Sequence, residues 1–232
     1  MKTILLIIGL GFLTAGDGFS QSNFNRGEEL FMLNKPREAL VFLENAVAED
    51  PAHVTAFYYL GMAYQQLGRI DEAIAAYRKI LPRAGKETAR VAYNLGNAYY
   101  MKGNTASAEQ CYTQALDEDP VFAPAYLNRA NTRVKSGSLK TAIVDYELYL
   151  SLEPGSPKKP EIERLIAFIR EEFAEEERRK LLAEEAARAE AERRRRLLEE
   201  VSASLQSAAE DSRGLSAGAE DVLGYEGEFE LE

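Results

Sequence analysis

Between residues 38 and 154 the apolar positions follow two periods at once. Over short stretches they recur three and four residues apart, as on one face of a helix. Over longer ones the same arrangement returns: EALVFLENAVAEDP (38–51), EAIAAYRKILPRAG (72–85), SAEQCYTQALDEDP (107–120) and TAIVDYELYLSLEP (141–154) align on Ala39, Ala73, Ala108 and Ala142, separated by 34, 35 and 34 residues. Four residues after each alanine stands a bulky side chain, Leu43, Tyr77, Tyr112 or Tyr146. Twelve residues after each stands a helix breaker, Pro51, Gly85, Pro120 or Pro154.

The preceding half of each unit is also periodic. FYYLGMAYQQLG (57–68) and AYNLGNAYYMKG (92–103) share Leu-Gly-x-x-Tyr, as Leu60-Gly61-Tyr64 and Leu95-Gly96-Tyr99. Turn residues Asn34, Gly68, Gly103 and Gly137 divide each unit into two helices, with Asp71 and Asn104–Thr105 as expected N-caps. Four helical hairpins follow, at about 20–53, 54–88, 89–122 and 123–156. Gly96 falls inside a helix, where it costs about 1 kcal/mol against Ala. A close crossing of helix backbones is the expected reason for it, filled at the corresponding positions by Gly61 and Ala130.

A unit of this length, with L-G-x2-Y in its first helix and A-x3-[aromatic] then Pro in its second, resembles the tetratricopeptide repeat. The resemblance covers residues from about 20 to 156 and implies an all-α, right-handed solenoid of four such hairpins. It also implies a concave groove, lined by the first helices, that receives an extended peptide or a partner's helix. Carried onto this sequence, the groove comprises Tyr58, Tyr59, Met62, Gln65 and Gln66 from the second unit. Arg90, Tyr93, Asn94, Asn97, Tyr100 and Met101 come from the third, and Leu127, Asn128 and Asn131 from the fourth. Asn both donates and accepts, Tyr gives contact area at low entropic cost, and Met adapts to irregular surfaces. A carboxylate clamp of the kind some members carry is not expected. Asn94, Asn97, Asn128 and Arg90 suit it, but Phe24 and Glu28 occupy the places of its base and amide.

Two units depart from the pattern. The first has Asn23, Arg26, Gly27 and Leu30 in place of aromatics, as a terminal repeat with one face in water would. The fourth has Arg129 and Arg133 where Leu and Tyr stand in the central units, read as stems covering apolar surface with heads in solvent.

Beyond the repeats, residues 157–206 read as a capping helix and a charged helical extension. Ile162, Leu165, Ile166, Ile169 and Phe173 make one stripe that would cover the last repeat. Ala174 to Val201 is nearly all Glu, Arg, Ala and Leu without a sustained heptad seam, so a solvated helix is expected, with a coiled-coil dimer as the alternative. Residues 207–232 read as a disordered acidic tail, whose end at 225–232 is either a short binding motif or a solubilising segment.

Residues 1–20 read as an export signal: Lys2, an apolar run from Ile4 to Leu13, then small residues. Cleavage is expected before Gln21, or else after Gly16, with an uncleaved anchor as the alternative. The expected location is the periplasm or cell envelope, with no stable membrane span once the leader is removed. Cys111, the single cysteine, excludes an internal disulfide and reads as a small buried hydrophobe, an intermolecular bridge being the alternative. A formal charge of −10 argues against nucleic acid and anionic lipid as partners.

No chemistry-bearing constellation emerges. His53, the sole histidine, reads as an exposed connector, and Asp117 and Asp119 as solvated. No catalytic residue, metal site or cofactor is expected. The functional expectation is a non-enzymatic protein–protein interaction scaffold or adaptor of the envelope, binding a polypeptide in the groove. The alternatives are a structural subunit of an envelope or secretion complex, and a small-ligand or glycan receptor using the groove tyrosines. Partner identity and oligomeric state stay open.

Overall fold

The structure, a computed structural model, describes the backbone of residues 16–222 and the side chains of residues 22–211. Among the described residues there are nine α-helices and no strand. Eight of them form four antiparallel hairpins: α1 (Gly16–Met32) with α2 (Pro36–Glu49), α3 (Val54–Gln66) with α4 (Ile70–Ile80), α5 (Thr88–Met101) with α6 (Thr105–Glu118), and α7 (Ala123–Lys135) with α8 (Leu139–Leu152). Each helix packs on the next in the chain, and the first helices also meet one another, α1 with α3, α3 with α5 and α5 with α7. The architecture is an all-α solenoid. Most of the export signal expected over 1–20 lies outside the described residues, and Gly16–Ser20 belong to α1.

Local chemistry fixes the helix ends. The turn of the first hairpin passes through Asn34 at φ 58°, a conformation that Asn tolerates. Asn104 caps α6, its side chain accepting from Ser107 N at 3.0 Å. Asp71 is not a cap: α4 begins one residue earlier, at Ile70, and Asp71 sits in the first turn, pairing with Lys102 Nζ at 2.6 Å. His53 is likewise more than a connector. Its Nδ1 accepts from Ala56 N at 3.2 Å, capping α3, and its ring lies 4.7 Å from that of Phe24.

The crossing within each hairpin answers the question of Gly96. A Cβ there would stand 2.6 Å from the ring of Tyr112, and one at Gly61 would stand 2.5 Å from that of Tyr77. Both tyrosines are fully buried. In these two hairpins the second helix lays an aromatic plate against the bare backbone of the first, and the buried ring offsets the propensity lost at glycine.

The fourth hairpin is held differently. Arg129 and Arg133 do not send their heads to solvent: they are 13% and 16% exposed and converge on Asp145, which is 1% exposed. Arg129 grips both Asp145 oxygens, Nε–Oδ2 at 2.9 Å and Nη2–Oδ1 at 2.8 Å, and donates to Thr113 at 3.0 Å. Arg133 reaches Asp145 at 2.8 Å and Glu109 at 2.7 Å. Burial opposes the Arg129 charge, but the hydrogen bonds and attraction of Asp145 outweigh it and raise the pKa of the guanidinium. A charge this deep needs a partner, and the sequence supplies one from α8.

The chain divides into two compact units, 1–166 and 167–232. α9 (Lys159–Val222) is one uninterrupted helix. In the first unit its Ile162 and Ile166 are buried. In the second, α9 is helical to Val222, past the boundary at 206 expected from composition. Ala203, Leu205, Gln206, Ala208 and Ala209 are good helix formers and extend a helix already nucleated. Residues 223–232 lie outside the described ones. Among the described residues no helix is long and apolar enough to cross a membrane.

Candidate functional site

The repeat sorts the first helices into columns. Gly61, Gly96 and Ala130 share one; the next residue along is Met62, Asn97 or Asn131; two residues back stand Tyr59, Asn94 and Asn128; three back, Tyr58, Tyr93 and Leu127. Two hydrogen bonds recur down these columns. Inside a hairpin, the buried tyrosine passes over the small residue and donates to the following amide: Tyr112 to Asn97 Oδ1 at 2.8 Å, Tyr146 to Asn131 Oδ1 at 2.7 Å. Between hairpins, an asparagine donates back to the preceding first helix: Asn94 to the Tyr58 hydroxyl at 2.8 Å, Asn128 to the Tyr93 hydroxyl at 3.0 Å. Asn128 also donates to Asn97 Oδ1 at 2.8 Å, and Asn97 to Asn94 Oδ1 at 3.5 Å. Met62 breaks the series in the second hairpin, so Tyr77 donates instead to Gln65 Oε1, at 3.2 Å.

This amide ladder commits the donors of Asn94 and Asn128 to the protein's own tyrosines. Two groups are left over: among the described residues Asn128 Oδ1 and Asn131 Nδ2 have no partner. Among the described residues no buried polar side-chain atom lacks a partner, so both face the open groove. Burial raises the pKa of Tyr58, Tyr112 and Tyr146. For Tyr58 the hydrogen bond from Asn94 opposes the rise; Tyr146 is pushed up to about 12.

The ladder is the floor of two adjoining cavities. One, of about 280 Å³, is lined by Asn97, Tyr112 and Asn128 with Gln65, Tyr100, Met101 and Asn131. The other, of about 350 Å³, is lined by Phe31, Met62, Gln65, Gln66, Asn94 and Met101. Gln65 and Met101 border both, with Gln65 Nε2 3.3 Å from Met101 Sδ. Neither lining holds a carboxylate, Lys or Arg. Met101 is 55% exposed, and Lys135 lies over the Tyr100 ring at 4.8 Å on the rim.

Of the sequence-predicted site residues, Met62, Gln65, Asn94, Asn97, Tyr100, Met101, Asn128 and Asn131 come together here. Tyr58 and Tyr93 stand behind the ladder: Tyr58 packs on Tyr59 and Tyr77, Tyr93 on Tyr112 and Phe122. Tyr59 is wedged against Phe24 and Phe31, and burial with a hydrogen bond to Glu28 pushes its pKa up to about 12. Leu127 is half-buried and lines neither cavity. Arg90 pairs with Glu87 at 3.2 Å and borders a separate polar hollow with Gly85, Glu118 and Asp119. Two lining residues were not anticipated. Tyr112 reads from the sequence as core alone, and the one signal for Phe31 is that it stands 34 residues before Gln65, one repeat away. Among the described residues no group of three or more His, Cys, Asp or Glu could hold a metal ion.

Comparison with known proteins bears on this array. Models of the tetratricopeptide repeat match residues 50–117 and 93–157. A probable UDP-N-acetylglucosamine–peptide N-acetylglucosaminyltransferase SPINDLY of Hordeum vulgare is 33% identical over 118 residues, which are 48% of this chain but 12% of that protein. MamA (41-end) from Desulfovibrio magneticus RS-1 superposes with a TM-score of 0.56 at 20% identity, over 60% of this chain and 77% of that one. YrrB, described as a TPR protein with an unusual peptide-binding site, superposes with a TM-score of 0.52 at 22% identity, over 61% and 77%. Such identities speak to the fold alone. With the 34-residue columns and the glycine–tyrosine crossings, the helical array is a tetratricopeptide-repeat-like all-α solenoid, and the repeat models match it over residues 50–157.

Proposed function

We propose that the chain is a non-enzymatic adaptor that holds a polypeptide in an extended form along the α3–α5–α7 groove. The observation that carries this reading is the uncharged cavity with one open acceptor, Asn128 Oδ1, and one open donor, Asn131 Nδ2. A peptide main chain presents the matching pair. Because the ladder already orders these amides, little rotamer freedom remains to be lost on binding. Met101 and Tyr100 would then seat an apolar side chain of the ligand. The absence of charge in the linings favours a neutral segment over an acidic or basic one. YrrB, with its peptide-binding site, is a precedent for such use of the fold. We also place the protein in the cell envelope, on the strength of the leader-like apolar run from Ile4 to Leu13. The glycan reading is weaker, because the rings of Tyr58, Tyr59 and Tyr93 are engaged by the protein's own aromatics.

A photoreactive residue at exposed Met101, compared with one at exposed Val41 on α2, tests this in cells of origin. Capture of one polypeptide from Met101 and not from Val41, abolished by Asn131→Leu, is the expected result. Equal capture from both positions, or capture indifferent to Asn131, would remove the groove from the function.

A further inference from the structure

Residues 167–211 of α9 present an almost wholly exposed helix, and its charges are unevenly partnered. Ion pairs three or four residues apart run from Arg178–Glu175 through Arg188–Glu184 to Arg196–Glu192 and Arg195–Glu199. Among the described residues Arg179, Glu190, Arg193 and Glu200 have no ion-pair partner. With about 100° between successive residues, these four fall together with Leu182, Ala186 and Leu197 within about 80° of arc. The leucines are 57% and 58% exposed, and Leu197 sits in a shallow depression bordered by Glu190, Arg193 and Glu200. This face therefore carries unmatched charge beside bare leucine, with further charge unpaired among the described residues, Glu185 and Arg194, to either side of it.

We propose that this face pairs with the same face of a second copy of the chain, antiparallel, about a midpoint between Ala189 and Glu190. The spacing of the sequence supports that one register. Leu182 then lies opposite the partner's Leu197, and Arg179 opposite the partner's Glu200, each contact occurring twice through the twofold axis. Arg193 meets the partner's Ala186, one turn from the partner's Glu190. The midpoint falls in the run Ala186-Ala187-Arg188-Ala189-Glu190-Ala191, whose small residues let two helices approach. A parallel pair is disfavoured by the same residues, since it sets Arg179 on Arg179, Arg193 on Arg193 and Glu200 on Glu200. With only two leucine layers and no heptad seam, the association is reversible and falls with dilution.

The test uses the full chain carrying Cys111→Ala, so that introduced cysteines are the only ones. Glu175→Cys and Ser204→Cys lie on this face and opposite each other in the antiparallel register. The chain with both forms a disulfide-linked dimer on mild oxidation, and neither single variant does. By sedimentation equilibrium, Arg179→Glu or Glu200→Arg alone weakens the dimer by about tenfold, and the two together restore it, with helix content unchanged by circular dichroism. A chain monomeric at every concentration overturns the proposal. So does cross-linking by either single cysteine, which reports a parallel or random encounter, and so does failure of the charge exchange to restore association.

Discussion

The third and fourth hairpins use one backbone plan and opposite chemistry. Three interior columns hold Leu95, Tyr99 and Cys111 in the third; the fourth has Arg129, Arg133 and Asp145. Leu95 and Cys111 are buried apolar groups, the thiol of Cys111 pushed up to about 11 by burial. The arginines and Asp145 instead form a network that reaches back to Thr113 and Glu109 on α6. The framework thus asks for complementary occupants of those columns, whether apolar or ionic. What differs is how the two solutions fail. An apolar contact loses in proportion to the area removed, whereas a buried ion left alone loses far more.

Asp145→Ala breaks the comparison most severely. It strands two guanidinium groups that are mostly buried, and a loss of about 3–5 kcal/mol is expected by analogy with other broken buried pairs. Cys111→Ala, in the same column one repeat earlier, removes a single sulfur and costs about 1 kcal/mol. Urea unfolding of the two variants side by side checks the ratio. The triple exchange Arg129→Leu, Arg133→Tyr, Asp145→Cys gives the fourth hairpin the occupants of the third. It is expected to be neutral or stabilising by about 1–4 kcal/mol. Should Asp145→Ala cost no more than Cys111→Ala, the network holds nothing in place.

The next contrast is Gly96 against Ala130, the same column beneath Tyr112 and Tyr146. Gly96→Ala would gain helix propensity of about 1 kcal/mol, but it drives a methyl to 2.6 Å from a fully buried ring. Overpacking of this kind costs about 1–3 kcal/mol, so a net loss is expected on thermal unfolding. Ala130→Gly runs the other way: the fourth hairpin already accommodates the methyl, and the substitution costs about 1 kcal/mol from propensity alone. A stabilised Gly96→Ala protein would show that the Tyr112 ring moves freely, contrary to the packing described.

These columns also show what could be read in advance. The hairpins and the glycine–tyrosine crossings follow from self-similarity, because packing of a repeat imposes the same residue at the same place. The groove amides were legible as positions. Their bonding was not, since nothing along the chain says that Asn94 turns to Tyr58, 36 residues away. The ion network was hidden for a related reason. Arg129 and Arg133 taken singly look like solvent-reaching side chains, and Asp145 sits in a run, VDYELYL, of ordinary helix-surface appearance. The visible signal was joint: three apolar columns changing to charges of both signs within one repeat. Helix over 207–222 is not legible from Gly, Ser and acidic content alone, because that content leaves out the long helix that precedes it.

The smallest effect separates the two hairpins by their tyrosines. An unfolded chain ionises tyrosine near pH 10. Burial raises both folded values, Tyr146 to about 12 and Tyr112 beyond it. A group whose folded pKa is raised binds its proton longer in the native state than in the unfolded one. Its contribution is therefore fully present below pH 10 and is lost as pH climbs through the folded value. Stability should accordingly decline from pH 10 upward, with Tyr146 releasing its share by about pH 12 and Tyr112 still releasing above that. Tyr146→Phe flattens the slope between pH 10 and 12, at the cost of about 1 kcal/mol at neutral pH for the bond to Asn131. Tyr112→Phe flattens it over the same range and further into alkali. The amide partners Asn97 and Asn131 are only half-buried, which lets solvent screen both effects, so the slopes are shallow and denaturant titrations at closely spaced pH are needed. If neither substitution changes the alkaline slope, the ladder hydroxyls are open to water, and the preorganisation of Asn97 and Asn131 on which peptide binding depends is lost with them.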